Sequence, residues 1–330
     1  MKQRTIPALD TTVGSIGLGC MGMSWAYGSP DDRDVDTSVA VISRALDAGV
    51  TLLDTSDAYG AGHNEQVVGR ALSRRRSDAI VATKVGLIGE QTPQGPRLTR
   101  NAHPEHIRAA VDASLARLGV DTIDLYYLHR VDPEVPLAES WGALAELVTA
   151  GKVRALGLSE VTTAQAAEAH AIHPVAAIQS EFSLWTRDPQ GLGTTSDGAE
   201  TGDVIGWTAA HDAIFVPFSP LGRGFLTGTL DRSALDSRDY RTTLPRFADD
   251  AAAANDRIVD LVRAVAARHD NTASAVALAW VLAQGEHIVP IPGTTKVRNL
   301  DANIAAVELE LTPVDLAELD AAPVAVGTRY

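Results

Sequence analysis

Four polar residues follow successive apolar runs of the sequence, and their side chains are suited to moving a proton. Asp54 ends the run TLLD, Tyr59 follows it in DTSDAYG, Lys84 ends IVATK and His129 ends LYYLH. A free tyrosine has a pKa of about 10, and a nearby lysine ammonium lowers that value because it stabilises the tyrosinate. In this interpretation Asp54 keeps Lys84 charged and oriented. His129 donates a hydrogen bond to a carbonyl oxygen, and the four residues predict a proton-transfer site.

Each of the four also has a structural explanation when it is taken alone. Asp54 and Lys84 could form a buried ion pair between neighbouring strands. Tyr59 could be an aromatic residue of a loop, and His129 could be a hydrogen-bonded histidine of the core. Their shared position at the ends of apolar runs favours chemistry, because four such coincidences are improbable.

The apolar runs alternate with amphipathic segments along the chain. We count eight β-rich runs, beginning at Ser15, Thr51, Ala79, Thr122, Val153, Ala176, Ala213 and His287. Several are apolar enough for strands buried on both faces of a parallel sheet. Eight strands alternating with helices predict an α/β fold of the (β/α)8 TIM-barrel type, with the chemistry at the C-terminal ends of the strands. We expect one domain over residues 1–330, with an N-terminal hairpin or arm below the barrel before Ser15.

One amphipathic segment, HPEHIRAAVDASLARLG, predicts a helix with clear ends. Ile107, Val111 and Leu115 form one apolar stripe, Pro104 suits the first helical position, and Gly119 suits the end.

Two segments interrupt the alternation and predict loops, the first of them exposed and the second at the C-terminal face of the barrel. Gln190–Asp203 is rich in Gly, Thr and Ser, and Gly222–Phe247 is long and polar and follows the seventh run. In the loop after Tyr59, Asn64 is expected to cap a helix and Glu65 to lie near its dipole.

A glycine motif in the first run invites a misleading interpretation. Gly17, Gly19 and Gly22 match G-x-G-x-x-G, which in a dinucleotide-binding βαβ unit opens a helix at once. Here the residues MSWAYGSPDD follow and predict a loop. Asp54, the acid that ends the next strand, also lies well beyond the expected spacing of roughly 20 residues. We therefore interpret the motif as a glycine-rich exit from the first barrel strand.

Composition excludes several classes of protein. The 28 Lys and Arg residues are outnumbered by 42 Asp and Glu, and the net charge of −14 is opposite to that of a nucleic-acid binder. A single cysteine, Cys20, excludes an intramolecular disulfide and a zinc site built on several thiolates. We expect no metal site. No apolar run is long enough to span a membrane, and the N-terminus lacks a signal-peptide core. We expect a cytoplasmic protein without nucleic-acid or membrane partners.

The sequence resembles the aldo-keto reductases, NADPH-dependent carbonyl reductases built on a (β/α)8 barrel. The resemblance covers nearly the whole chain and is carried by GLGCMGMSWAYG, LLDTSDAYGAGHNEQVVG, IVATK, DLYYLHRVDP, GKVRALGLSE, QSEFSLWTRD, VPFSPLGRGFLTG, DYRTTLPRF and IPGTTKVRNLDAN. LPRF and LYYLHRVDP are similar to the bacterial and plant branch that includes perakine-reductase-like and YajO-like enzymes. The resemblance implies hydride transfer from NADPH to a small-molecule aldehyde or ketone. The catalytic residues that it implies are Asp54, Tyr59, Lys84 and His129, with Tyr59 as the general acid.

The resemblance also implies which residues bind NADPH or NADP+. They are Gly19, Cys20, Met21, Ser159, Glu160, Gln179, Phe218, Ser219, Pro220, Leu221, Gly222, Arg223, Gly224, Gly293, Thr294, Thr295, Lys296, Asn299 and Asn303. Ser159 and Gln179 match residues that bind the nicotinamide carboxamide, and Arg223 is able to pair with pyrophosphate oxygens.

Three positions depart from the family pattern. Glu160 stands where the family usually has Asn, so it can accept a hydrogen bond from the carboxamide NH2 but cannot donate one. Phe218 replaces a frequent Tyr and keeps a ring face for stacking on the nicotinamide. Ala302 precedes Asn303 where Glu is common, which weakens the contact at the adenine end.

The GTTKVRNLDAN segment resembles the one that surrounds the adenosine 2′-phosphate. Thr294, Thr295, Lys296 and Arg298 supply donors and cations for a dianion, and Asp301 is the acid nearby. We therefore expect a preference for NADPH over NADH, carried mainly by Lys296.

Three aromatic residues are candidates for the wall of the substrate pocket, with loop packing as the alternative. They are Trp25, Tyr27 and Trp185.

Two rival functions are also compatible with the sequence. A Schiff-base lyase using Lys84 is one rival function. An NADPH-binding subunit that senses redox state is the other.

Overall fold

The computed structural model describes residues 1–28, 33–92, 95–194 and 198–329. Its strands are β1 (Gln3–Ile6), β2 (Thr11–Gly14), β3 (Leu18–Gly19), β4 (Leu52–Asp54), β5 (Ile80–Val85), β6 (Leu87–Thr92), β7 (Gly95–Arg100), β8 (Ile123–Leu128), β9 (Val153–Ser159), β10 (Val175–Glu181) and β11 (Ile214–Phe218). Its α-helices are α1 (Val35–Asp47), α2 (His63–Leu72), α3 (Pro104–Leu118), α4 (Leu137–Thr149), α5 (Thr163–Ile172), α6 (Val204–Ala210), α7 (Asp249–Arg268), α8 (Ala273–Leu282), α9 (Val297–Ala305) and α10 (Pro313–Asp320).

Seven parallel strands form the barrel wall, in the spatial order β3, β4, β5, β8, β9, β10, β11. The eighth predicted run closes the wall without forming a regular strand, through parallel bridges that join Phe215 to Ile288 and Gly19 to Gly293. Pro290 lies in this run and has no N–H to donate, which interrupts the ladder. Its carbonyl still accepts from the Gly17 N–H at 2.9 Å. The barrel prediction is confirmed, and the regular eighth strand is not.

The N-terminal residues form the expected hairpin. Strands β1 and β2 pair antiparallel, with Gln3 opposite Gly14. Ile6 and Val13 have no exposed surface, and they belong to one buried apolar cluster with Leu125 of the barrel interior. The hairpin therefore covers the N-terminal end of the barrel, away from the strand ends that carry the polar residues.

Helix α3 has the ends that the sequence predicts. Pro104 is its first residue and Gly119 is its C-cap, in the left-handed conformation with φ 65°. Ile107 and Val111 are buried on its inner face, while Leu115 is only partly buried against the same core. The other long helix, α7, buries Ile258 in the same way.

The barrel interior is closed beneath the strand ends by one large ring. Tyr127 of β8 is fully buried and lies opposite Gly157 of β9 and Lys84 of β5. A Cβ atom on Gly157 would lie 2.4 Å from the Tyr127 ring, so only glycine leaves room for it. This ring forms the floor on which the Lys84 side chain rests, with the ammonium 6.0 Å from the ring centroid.

Loops after the strands cover the C-terminal face. Strands β6 and β7 form a second hairpin directly after β5, which the sequence did not predict. The segment Gly222–Phe247 is a series of short 3₁₀ turns, and it buries Phe225 and Phe247 although it reads as polar. The segment Gln190–Asp203 is closed by a bridge between its two end residues, and its residues 195–197 lie outside the described part of the chain. In the described ranges, no helix has the length and apolar character needed to cross a bilayer.

Candidate active site

The ends of three neighbouring strands bring the four polar residues together. Asp54 is the last residue of β4, Lys84 is the next-to-last residue of β5, and His129 directly follows β8. Tyr59 reaches the same place from the turn after β4, where its N–H donates to the Ser56 carbonyl at 3.2 Å. All four side chains are at least nine-tenths buried.

The Lys84 ammonium is the centre of this group. Its Nζ donates to Asp54 Oδ1 at 2.6 Å, to the Thr55 carbonyl at 2.8 Å and to the Tyr59 hydroxyl at 3.5 Å. These three contacts use all three of its hydrogens. The second carboxylate oxygen of Asp54 accepts from Gln179 Nε2 at 2.7 Å. Asp54 is thereby held by Lys84 of β5 on one side and by Gln179 of β10 on the other.

The buried surroundings decide which of these groups are charged. Burial alone would lower the pKa of Lys84, but Asp54 and then Tyr59 outweigh burial and raise it, so the ammonium stays charged. Burial also raises the pKa of Tyr59, and the nearby Lys84 only partly opposes this increase. The expectation that Lys84 brings the Tyr59 pKa below its ordinary value is therefore wrong for this state. The free-energy cost of desolvating the phenolate exceeds the stabilisation that the Lys84 ammonium provides, so the phenol is protonated.

His129 is neutral in this setting. Burial, followed by the charges of Lys84 and Arg130, lowers its pKa well below the ordinary value. Its Nδ1 lies 3.1 Å from the Ser56 hydroxyl, and its ring meets the Tyr59 ring edge-on at 5.7 Å between centroids.

Aromatic rings surround Tyr59 on the side of the loops. Trp25 stacks between Tyr59 and Tyr240, with ring centroids 6.2 Å apart in each case. Tyr240 comes from the long loop after β11, and its N–H donates to the Ala26 carbonyl at 2.8 Å. Sequence reasoning named Trp25 but missed Tyr240, because no local pattern links residues more than 200 positions apart.

The other two candidates for the pocket wall differ from each other, because Tyr27 packs against the cluster of Trp25 and Tyr59 whereas Trp185 does not. Tyr27 is partly buried beneath the Arg241 guanidinium, which lies 5.1 Å from its ring centroid. Trp185 is stacked on Phe225 at 4.4 Å and packs edge-on against Phe247 at 5.3 Å. Its indole is part of the apolar core beneath the long loop and is not grouped with the Tyr59 ring.

Asn64 has a larger role than the cap that its sequence position indicates. Helix α2 begins one residue earlier, with Gly62 as its N-cap, so the cap prediction is wrong. The Asn64 side chain accepts from Thr55 at 2.6 Å and donates to the Cys20 carbonyl and the Ser24 hydroxyl at 2.9 Å each. It ties the loop after β3 to the loop after β4.

The residues expected at the nicotinamide carboxamide have partners of their own. Ser159 ends β9, and its hydroxyl accepts from Arg130 at 2.9 Å. Glu160 follows with a positive φ of 56°. One of its carboxylate oxygens accepts from the Glu181 N–H at 2.7 Å, and the other pairs with Arg329 at 2.9 Å. The carboxylate that stands in place of the usual Asn is therefore paired with a cation, Arg329, which the sequence analysis did not identify.

The loop after β11 turns sharply and carries a buried arginine that pairs with β10. Phe218 ends the strand, and Ser219 and Arg223 both have positive φ, at 50° and 56°. The Arg223 guanidinium is buried and pairs with Glu181 at 2.9 Å. Burial would raise the pKa of Glu181, but Arg223 and then Arg329 outweigh it and hold that pKa below its usual value.

Gly222 makes the turn possible. Its φ is 57°, and a Cβ atom there would lie 2.7 Å from the Trp185 ring. Its neighbours Pro220 and Leu221 are buried and partly buried, and Gly224 continues the turn with φ 96°.

The segment expected at the adenosine phosphate lies at the start of α9. Lys296 is the N-cap of this helix, and it is exposed, as is Arg298. Asp301 pairs with Arg44 of α1 at 2.8 Å, so the acid of this segment is neutralised and a third cation is nearby. The other expected contacts range from the exposed Gly293 and Asn299, through the partly buried Thr294 and Thr295, to the buried Asn303.

The glycine-rich exit from the first barrel strand is confirmed. Gly19 ends β3, and Cys20 and Met21 lead into a short 3₁₀ turn rather than a long helix. Cys20 is fully buried, and burial raises the pKa of its thiol. Among the described residues, no group of three or more His, Cys, Asp or Glu side chains is arranged to hold a metal ion.

Comparison with known proteins gives one consistent result. The sequence profile described as "Aldo/keto reductase family" matches residues 15–323. A probable aldo-keto reductase from Glycine max is 40% identical over 323 residues, which are 96% of this chain and 88% of that protein. The structure of a glycerol dehydrogenase from Gluconobacter oxydans is 31% identical with a TM-score of 0.83, covering 96% of this chain and 94% of that chain. An aldo-keto reductase from Klebsiella pneumoniae, solved in complex with NADPH, shares the fold at 24% identity and a TM-score of 0.73, covering 100% and 99%.

Proposed function

Because the chain belongs to the aldo/keto reductase family, a family of oxidoreductases, we propose that it reduces an aldehyde or ketone with NADPH as its cofactor. Tyr59 is the general acid of this reaction, and Lys84 and Asp54 hold it in place. His129 orients the carbonyl group. The observation that carries the proposal is the buried Lys84 ammonium, which lies 3.5 Å from the Tyr59 hydroxyl and 2.6 Å from Asp54.

The protonation states support these roles. A general acid must be protonated before the reaction, and burial keeps the Tyr59 phenol in that state. As negative charge develops on the substrate oxygen, the fixed Lys84 ammonium stabilises the phenolate that proton donation leaves behind. Neutral His129 can donate a hydrogen bond to the same oxygen without competing for the proton.

The residues present fit NADPH at its two ends. When bound, NADPH supplies the hydride that reduces the carbonyl carbon. Lys296 and Arg298 are exposed cations at the start of α9 that suit the 2′-phosphate, and Asp301, about one turn further on, is already paired with Arg44 of α1. The Phe218 ring, only partly buried at the end of β11, offers a stacking face to the nicotinamide.

The partners of Glu160 change the role that we propose for it. Both of its carboxylate oxygens are occupied by the Glu181 N–H and by Arg329. We propose that Glu160 secures the segment around Arg329 at the strand ends. Ser159 and Gln179 then provide the side-chain contacts to the carboxamide.

A Schiff-base lyase is the less favoured function. Such an enzyme needs a neutral lysine amine as its nucleophile. Lys84 is charged, fully buried and engaged through all three hydrogens, which disfavours attack on a carbonyl carbon.

The proposed function is tested by incubating the purified protein with NADPH and a panel of small aldehydes and ketones. We expect consumption of NADPH with formation of an equal amount of alcohol for at least one member of the panel. NADPH binding without turnover across the panel would favour the redox-sensing subunit. A borohydride-trapped adduct on Lys84 would favour the lyase.

A further inference from the structure

A short hydrogen-bonded chain runs from His129 away from the reacting atoms. The Ser56 hydroxyl lies 3.1 Å from His129 Nδ1 and 3.2 Å from Asp57 Oδ1, and it accepts from the Ala58 N–H at 3.1 Å. Ser56 has no exposed surface. Its hydroxyl has one hydrogen to donate and two neighbouring groups that could accept it, the Asp57 carboxylate and the His129 imidazole.

The position of one hydrogen on His129 matters to the reaction. Because His129 is neutral, it carries a single N–H, on Nδ1 or on Nε2. Nδ1 is taken up by Ser56, whereas Nε2 has no hydrogen-bond partner among the residues that the structure describes. Nε2 is therefore the nitrogen left to meet a substrate oxygen, and it can donate only when it carries the hydrogen.

Ser56 couples this choice to the state of Asp57. If Asp57 is protonated, its O–H donates to Ser56 and the Ser56 hydroxyl donates to Nδ1, which leaves the histidine hydrogen on Nε2. If Asp57 is ionised, the carboxylate is the stronger acceptor and takes the Ser56 hydrogen. Nδ1 must then donate to Ser56, and Nε2 is left without a hydrogen.

We propose that Asp57 and Ser56 are positioning residues that set which nitrogen of His129 carries its hydrogen, through the contacts from Asp57 Oδ1 to the Ser56 hydroxyl and from that hydroxyl to His129 Nδ1. This inference rests on the proposed function of His129. No bond to the substrate is made or broken by either residue. They select one tautomer of a group that contacts the substrate.

The surroundings of Asp57, which is partly buried, favour its protonated form. Burial, followed by the Glu65 carboxylate, raises the pKa of Asp57 to about 8, against opposing contributions from Ser56 and Arg117. Glu65 itself is fully buried and paired with Arg117 of α3.

The titratable and charged groups that face the chain come from several elements. Around Asp57 they are Glu65 of α2, Arg117 of α3 and Tyr126 of β8. Around His129 they are Lys84 of β5, Arg130 and Tyr59. Lys84 stays charged, and burial raises the pKa of Tyr59 and of Tyr126 above the ordinary tyrosine value, so neither phenol switches near neutral pH. Asp57 is the member of this set that we expect to titrate just above neutrality.

The tautomer is measured directly by NMR of the full chain labelled with ¹⁵N-histidine. The signals of His129 are assigned by their loss in His129→Gln. In the wild type we expect the hydrogen on Nε2 at pH 7, moving to Nδ1 as the pH rises past about 8, the pKa of Asp57. In Asp57→Asn the side-chain amide donates to Ser56 at every pH, so the hydrogen stays on Nε2. In Ser56→Ala the tautomer no longer responds between pH 7 and 9. A hydrogen on Nδ1 at pH 7 in the wild type, or a shift that persists in Asp57→Asn, would overturn the proposal.

Kinetics give a second readout that a merely structural role would not move. We expect the wild-type kcat to fall between pH 7 and 9 and the Asp57→Asn profile to lack that step. Ser56→Ala lowers kcat about tenfold, the effect of one hydrogen bond of about 1.4 kcal/mol, and leaves NADPH affinity unchanged. Ser56→Thr retains the hydroxyl and recovers most of the loss.

The two proposals fail in different ways. Full activity of His129→Gln would overturn the substrate contact of His129 in the proposed function, while the NMR result would still test whether Asp57 and Ser56 control its tautomer. If His129→Gln is inactive but the wild-type tautomer does not change as Asp57 titrates, only the control of the tautomer is overturned.

Discussion

At the scale of single residues, Lys84 shows how burial changes the effect of a charge. Sequence reasoning placed the lysine beside the tyrosine and expected a lowered phenol pKa. The contact is present, but burial acts on the phenolate more strongly than the ammonium does. A sequence gives the types of neighbouring groups, whereas the balance between burial and charge depends on how completely water is excluded.

Removing the Lys84 charge is expected to affect both activity and stability. Lys84→Met leaves the buried Asp54 carboxylate without its cation, which costs about 3–5 kcal/mol of unfolding free energy when one partner of a buried pair is lost. Carbonyl reduction falls by roughly 10²-fold or more, since the developing tyrosinate loses its stabilising charge. Denaturant unfolding and steady-state kinetics measure the two effects.

The matched control is the double variant Asp54→Asn with Lys84→Met. It removes both charges, so we expect it to recover part of the stability but none of the activity. Equal stability of the single and double variants would show that the pair is not the source of the loss.

At the scale of elements, the start of α9 places the expected cations at the surface. Lys296, the N-cap of α9, and Arg298 are both exposed. Arg44 of α1 was not predicted, because its contact with Asp301 joins residues 44 and 301 through the packing of two helices. Local patterns identify the end of a helix, but they do not identify which helix packs beside it.

Lys296 is expected to carry the choice between the two nicotinamide cofactors. A charge-assisted contact to the 2′-phosphate contributes about 1.5–3 kcal/mol. Lys296→Ala should therefore weaken NADPH roughly ten- to a hundred-fold, at about 1.4 kcal/mol per decade, and leave NADH nearly unchanged. Fluorescence titration of both cofactors into wild type and variant measures this.

Arg257→Ala serves as a matched control, because it removes one cation from α7 rather than from the start of α9. An equal loss for both cofactors in Lys296→Ala would place the lysine at a part of the cofactor that NADH shares. Equal wild-type affinities would contradict the preference for NADPH.

At the scale of the whole molecule, the sequence predicts the barrel itself but not the way in which the eighth run closes the barrel wall. The alternation of apolar runs and helices predicted the barrel, and the strand-end positions of Asp54, Lys84 and His129 followed from it. The proline-containing eighth run closes the wall by isolated bridges, which periodicity alone does not reveal. The pairing of Glu160 with Arg329 depends on a return of the chain over 169 positions, and no sequence pattern encodes it.

That long-range pair is expected to stabilise the whole molecule. Arg329→Ala leaves Glu160 buried without its cation and should lower the unfolding free energy by about 1.5–3 kcal/mol, the value of a charge-assisted hydrogen bond. Adding Glu160→Gln removes the unpaired charge and should recover part of the loss. Denaturant midpoints of the three proteins measure it, and an unchanged midpoint in Arg329→Ala would show that the pair contributes nothing.

The most direct test of the proposed reaction is the turnover of Tyr59→Phe with an aldehyde that the wild type reduces. The variant keeps the ring stacked against Trp25 and removes only the hydroxyl that contacts Lys84. We predict that reduction falls by roughly 10²-fold or more, as expected for loss of a general acid, while NADPH affinity is retained. Near-normal turnover in this variant would contradict the assignment of Tyr59 as the proton donor.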